Sequence, residues 1–165
     1  MMLLRRGHLL LILPVFILLQ ACGSAGLKDY YAAHGADFEA RTGYISHRIT
    51  RGDFMLEARE FGEAGDQPTL ILMHGFPDSM RLYDWLVPEL MSDRHIIAFD
   101  FLGWGDSDKP RDHLYNVASL RADLEAVLAA FELDSVVLVV HDASGQPGID
   151  WALDNPEKKP RVWCC

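Results

Sequence analysis

Apolar residues fall into three patterns along this chain. Three short runs, Thr69–Met73, His95–Phe99 and Ser135–Val140, are almost wholly apolar and rich in Val, Ile and Leu. Runs of that length and composition predict strands buried on both faces, as in a parallel sheet. Ahead of them, Tyr44–Thr50 and Phe54–Arg59 partly alternate, with Ile45 and Ile49, then Phe54, Leu56 and Ala58, on one face. Arg51-Gly52-Asp53 between these segments predicts the turn of a β-hairpin. The same tripeptide is known as a cell-adhesion motif, but a hairpin turn accounts for it more simply.

The third pattern has the helical period. Leu120, Leu124, Val127, Leu128 and Phe131 form one stripe, with Asn116 placed to cap it. Ser79–Met91 predicts a weaker helix that Pro88 bends, and Ile149, Ala152 and Leu153 a last short one stopped by Asn155-Pro156. Leu27–Arg41 predicts a helix with Tyr30, Tyr31, Ala33 and Phe38 available for packing, weakened by Gly35. Gly62–Pro68 is a polar loop. A hairpin followed by strand, helix, strand, helix, strand and helix predicts an α/β fold whose parallel strands are entered by two antiparallel ones.

Composition narrows the chemistry. A chain of 165 residues suits one compact domain. With 15 basic against 24 acidic residues, its net charge of −9 lacks the footprint of a nucleic-acid binder. Three cysteines, two of them adjacent at the end, make neither a disulfide framework nor a four-ligand zinc site. His34, His47, His95 and His113 are scattered singly and need no metal, so neither a metal nor a cofactor is expected.

The N-terminus reads as an address. Arg5, Arg6 and His8 precede an apolar stretch, Leu9–Leu19, broken only by Pro14 and too short to span a bilayer. Leu19-Gln20-Ala21-Cys22 follows, and it resembles the bacterial lipobox. That resemblance implies a signal peptide over residues 1–21 and lipidation of Cys22; an ordinary signal peptide cleaved nearby is the alternative. Gly23, where an Asp would suggest inner-membrane retention, points to an outer-membrane or cell-surface anchor. Residues 22–43 then form a tether and short helix, and the membrane is a partner through the acyl chains alone, because an acidic body gains nothing from anionic lipid.

Candidate chemistry sits in three loops, each directly after an apolar strand: His74-Gly75-Phe76-Pro77-Asp78-Ser79, Asp100-Phe101-Leu102-Gly103-Trp104-Gly105-Asp106-Ser107-Asp108-Lys109-Pro110, and His141-Asp142-Ala143-Ser144-Gly145. In open α/β sheets, sites form beyond the carboxyl ends of the strands. In order and spacing, HGFPDS, DFLGWGDSDKP and VVLVVHDASG resemble the α/β-hydrolase fold over about residues 44–156, in its epoxide hydrolase and haloalkane dehalogenase branch.

The resemblance implies a nucleophile elbow after the third run, with Asp142 as nucleophile. A carboxylate suits displacement at a saturated carbon, giving an alkyl ester that water cleaves. Ser144 is the rival and would suit acyl transfer. Val140 departs from the pattern, standing where the elbow usually has a small residue. Backbone N–H groups of Phe76 and Ala143 would form the oxyanion hole, with His74 and Gly75 shaping its loop and Pro77 stiffening it. Neither Phe76 nor Ala143 offers a side-chain donor to a leaving halide, and Phe76 matches the HGFP form of epoxide hydrolases. Gly103-Trp104-Gly105 is expected to be a structural turn, Tyr83 and Trp85 packing residues, and Asp106 and Asp108 part of a capped, solvated loop.

The family's catalytic histidine and acid follow later strands and a cap, none of which is expected here. Residues 44–157 therefore read as a partial hydrolase domain. Lys158–Cys165 reads as an aberrant tail, from a frameshift or premature stop, that makes no buried strand. On that basis Val136–Val140 should be an exposed sheet edge and the domain marginally stable. The expected function is a lipid-anchored hydrolase acting on a small epoxide-like electrophile, incomplete and inactive as this chain. A non-catalytic remnant or binding module, a haloalkane dehalogenase and a serine esterase are the alternatives.

Overall fold

The computed structural model describes residues 25–164. The leader and Cys22 lie outside the described residues, as does Cys165. The chain divides into two compact units, one ending at Arg41 and the other starting at Thr42. The first contributes helix α1 (Ala25–Thr42), which runs through Gly35 and carries an Arg41–Asp37 ion pair one turn apart at 2.9 Å. No helix among the described residues is long and apolar enough to cross a membrane.

The second unit is built on a six-stranded mixed sheet. Strands β1 (Ile45–Arg51) and β2 (Phe54–Phe61) form the expected hairpin, closed by a turn in which Gly52 takes φ +63°. Buried Ile49 faces buried Leu56 across it, whereas Ile45 is 58% exposed and does not join the core as the alternation suggested. Arg51 of the turn is 3.0 Å from Asp123, so the cation of the tripeptide is engaged within the domain.

The three apolar runs become β3 (Thr69–Met73), β4 (Ile96–Phe99) and β5 (Val136–Val140), with every residue buried. The order is β1-β2-β4-β3-β5-β6; β2 is antiparallel to β4, and β4, β3, β5 and β6 are parallel. Between β3 and β4 the expected single helix is a 3-10 turn (Met80–Tyr83) and a four-residue α2 (Val87–Leu90). Pro88 falls in the first turn of α2, where its missing N–H is no loss. Tyr83 is packed and donates its hydroxyl to Met73 O at 2.9 Å, whereas Trp85 is 71% exposed and does not enter the core.

Helices α3 (Val117–Ala130) and α4 (Gly145–Asp154) contribute to the core formed by the sheet. Asn116 caps α3 as expected, accepting from Ser119 N–H at 2.9 Å. Leu124, Val127 and Leu128 of α3 and Trp151 of α4 are buried in one cluster with Ile71, Ile97 and Leu138.

The tail overturns one expectation. Arg161–Cys164 forms β6, parallel to β5, so Val136–Val140 is an inner strand and β6 takes the edge. Lys159 enters the left-handed region at φ +46° to turn the chain, and Lys158 Nζ holds the bend on Asp134 at 2.9 Å. Pro160 just precedes an edge strand, where its missing donor is tolerated. The strand is not buried, and Trp163 is 68% exposed.

Candidate active site

Because β3, β4 and β5 are parallel, their carboxyl ends bring the three motif loops to one end of the sheet. The sharpest feature is at the end of β5. Asp142 is held at φ +50°, a conformation rarely taken by a residue with a β-carbon, and it starts the 3-10 turn (Asp142–Ser144) that leads into α4. Such a turn lifts one side chain clear of the sheet, and Asp142 is exposed.

Ser144, the rival nucleophile, is fully buried beneath it. Its Oγ accepts from His141 N–H at 2.9 Å and donates to Met73 O at 2.8 Å, with His141 O sharing the proton at 3.0 Å. The hydroxyl thus ties the end of β5 to the end of β3. No solvent reaches it.

Two glycines make the turn possible. A β-carbon on Gly75 would sit 2.6 Å from Asp142 Cβ and 2.8 Å from His141 O, so only glycine lets the β3 loop approach this closely. The approach delivers Phe76 N–H to Asp142 Oδ1 at 3.1 Å. A β-carbon on Gly148 would lie 2.7 Å from Val140 Cγ1. The bulk at Val140, unusual at that position of the elbow, is taken up by the absence of a side chain on α4.

The Asp142 carboxyl is held below the usual carboxylate range, first by the Phe76 N–H and then by the Ala143 N–H. The two backbone donors expected to make an oxyanion hole therefore already hold the carboxylate. His74 supports the same loop from below. Its Nε2 accepts from Phe101 N–H at 3.2 Å, which places the ring proton on Nδ1, and Nδ1 donates to Gly75 O at 2.8 Å. Burial keeps the ring below its usual pKa, although the Gly75 carbonyl and Asp100 pull the other way. His74 is a neutral clamp between the β3 and β4 loops, and with Nε2 accepting, its 3.8 Å approach to Asp100 is not an ion pair.

Beside Asp142 lies a crevice of about 10 Å³ lined by His74, Gly75, Phe76, Phe101, Trp104, Leu120 and Ala143. That is room for roughly one water. Phe76 is 66% exposed and meets Trp104 edge to face at 6.4 Å, and Trp104 meets Tyr115 the same way at 5.5 Å. The Gly103-Trp104-Gly105 turn is structural, as expected: Gly103 and Gly105 take φ +92° and +49°. A β-carbon on Gly105 would collide with the Asp100 carboxylate, and one on Gly103 would lie 2.6 Å from the Tyr115 ring.

Three polar clusters were not found from the sequence. Asp100, first after β4 and buried, accepts Met80 N–H and Asp106 N–H, each at 2.7 Å. Its place directly after an apolar run was the only signal. Asp123, fully buried on α3, accepts Leu102 N–H at 3.1 Å; burial drives its pKa up to about 6 even though Arg51 Nε lies 3.0 Å away, out of line for a hydrogen bond. At the opposite end of the sheet, Glu60 takes His47 at 2.7 Å and His95 at 2.9 Å. Burial alone would raise Glu60, but the two imidazoles outweigh it and hold it low. Among the described residues no cluster could hold a metal ion.

Comparison with known proteins places this geometry. A family model described as the alpha/beta hydrolase fold matches residues 68–165, more than half of the chain. The chain belongs to the α/β-hydrolase fold family. A putative hydrolase, LipZ, of Mycobacterium tuberculosis is 38% identical over 78 residues, covering 47% of this chain and 27% of that protein. A fluoroacetate dehalogenase of Burkholderia is 31% identical over 97 residues, covering 56% and 32%. Among solved structures, the haloalkane dehalogenase DatA of Agrobacterium tumefaciens superposes with a TM-score of 0.65 at 25% identity over 73% of this chain and 40% of its own. Cfl2 of Burkholderia cenocepacia superposes at 0.68 and 29% over 75% and 42%. The epoxide hydrolase CorEH shares the fold with a TM-score of 0.63 at 24% identity, over 72% of this chain and 40% of its own. This α/β-hydrolase chain thus spans about a third of the length of the curated relatives it matches.

Proposed function

We propose that Asp142 is a nucleophile that opens a small epoxide-like electrophile. The observation that carries this reading is the pairing of its left-handed, exposed turn with the Phe76 N–H on Oδ1. With Oδ1 held, Oδ2 attacks the saturated carbon, the C–O bond of the ring breaks, and the ring oxygen leaves as an alkoxide that takes a proton from water. Oδ1 becomes the ester carbonyl without leaving the Phe76 N–H. When water adds to that carbonyl, the same two N–H groups face the negative oxygen that forms. Ring opening is favoured over halide departure because the Phe76 and Ala143 side chains carry no N–H to solvate a halide.

Ester hydrolysis needs a base. His74 has both ring nitrogens engaged, and His141 Nδ1 is buried without a partner. Neither is set to activate a water, so these two histidines leave the ester in place and the adduct should accumulate. We also propose that Cys22 carries a lipid anchor that holds the domain to the bacterial envelope, supported by the LQAC sequence after the apolar run.

The test is mass spectrometry of the full chain after incubation with a simple epoxide. One adduct, mapped to Asp142 and absent in Asp142→Asn, is the expected result. No adduct on protein that melts cooperatively would instead leave a non-catalytic binding module.

A further inference from the structure

The crevice beside Asp142 is uncharged. Of its lining, only His74 titrates, and its two hydrogen bonds fix it as the neutral tautomer. Three nearby basic groups are turned to other partners: Arg81 to Asp106 at 3.4 Å, Arg48 of β1 to Asp108 at 2.9 Å, and Lys109 Nζ to Ser107 O at 3.0 Å. An anionic electrophile would bring a second negative charge to the Asp142 carboxylate with no cation lining the crevice to offset it.

The apolar part of the site has a definite shape. Phe76 presents an exposed ring beside the carboxylate, set at 89° against Trp104. Trp104 is set at 84° against Tyr115, whose ring lies on Gly103 and whose hydroxyl is fixed on Pro110 O at 2.6 Å. The rings hold one another in place, so a flat apolar group settling on them orders little that is not already ordered.

We propose that the electrophile this site takes is neutral and carries an aryl substituent, seated on the shelf made by Phe76 and Trp104. The proposal rests on Asp142 being the nucleophile and adds the substrate class. Trp104 is then a specificity residue that touches the substituent and not the reacting carbon.

The experiment measures the rate of adduct formation on Asp142 of the full chain with styrene oxide, 1,2-epoxybutane and the glycidate anion. Each rate is divided by that of the same epoxide with free acetate. The aryl epoxide is expected to label about tenfold faster than the alkyl one, and glycidate slowest. Trp104→Ala should bring the aryl-to-alkyl ratio down at least threefold; Trp104→Leu, which keeps bulk without an aromatic face, should do the same if the alanine variant fails to fold. Equal normalised rates, glycidate in the lead, or a ratio unmoved by either variant would overturn the substrate class and leave Asp142 as nucleophile. Absence of adduct with all three would overturn the nucleophile itself.

Discussion

Asp100 and Asp142 stand beyond the ends of the two parallel strands that flank β3, the first directly after β4 and the second two residues past the end of β5. Both carboxylates accept backbone N–H groups from a neighbouring loop. Asp100 is buried, and its two oxygens are saturated by Met80 and Asp106. Asp142 is exposed, sits in a left-handed turn, and bonds donors that a reaction would need again. The same residue type at the same end of the sheet is a fastener in one loop and, in the function we propose, a reagent in the other. Exposure and backbone conformation decide which.

Breaking each carboxylate separates the roles. Asp142→Asn should lower the rate of epoxide adduct formation by at least about 100-fold, because an amide is a poor nucleophile. Its melting temperature should stay close to that of the parent chain; a large drop in both would mean that Asp142 is structural too. Asp100→Ala should do the reverse in kind. Stranding two buried N–H donors costs about 3 kcal/mol by chemical denaturation, and an unchanged denaturation midpoint would refute the fastener role.

Asp123 sharpens the contrast, because it is buried yet poorly satisfied. Its folded pKa of about 6 lies above its unfolded value. The folded state therefore holds the proton more tightly than the unfolded chain does, and stability falls as pH rises from about 4 to about 6. Asp123→Asn keeps an acceptor for Leu102 N–H and removes the buried charge. It should flatten that decline and add up to about 3 kcal/mol at pH 8, measured by urea denaturation across pH. A variant that is less stable at pH 8 would mean that the Arg51 pairing outweighs burial.

Asp142 carries the opposite sign. Its carboxyl is held low by backbone donors, so adduct formation should stay level from pH 8 to about 4; a rate that halves near pH 6 would show that another group titrates. The smallest effect belongs to Ser144. Ser144→Ala should lose about 1 kcal/mol of stability while labelling of Asp142 persists within about threefold, and loss of labelling at full stability would restore the serine as a candidate.

The fold was legible where local pattern and burial agree. Continuous Val/Ile/Leu runs marked β3, β4 and β5, Asn116 marked the start of α3, and the motif after β5 marked a sharp turn at Asp142. What stayed hidden depends on partners distant in sequence. Arg161–Cys164 has no strand pattern of its own and becomes one by pairing with β5. Ile45 alternates correctly but lies where no element covers it, and Ser79–Met91 has helical spacing that the Tyr83 hydroxyl bond to β3 and the position of Pro88 divide. Asp100, Asp123 and Glu60 look like ordinary surface acids until the chain folds around them.

The loop that carries Trp104 is stitched to the hairpin at several points. Met55 N–H reaches Asp108 at 2.8 Å, Glu57 N–H reaches Ser107 Oγ at 2.8 Å, and Arg48 reaches Asp108 at 2.9 Å, across 53, 50 and 60 positions of sequence. Bonds with such long closures cannot form until the chain between them has collapsed. The shelf beside Asp142 therefore depends on the hairpin and is lost when the hairpin frays. The turn at Asp142 closes over still longer spans, 66 positions to Phe76 and, through Ser144, 71 to Met73, so a growing chain can stitch its aromatic loop to the hairpin before residue 142 has been made.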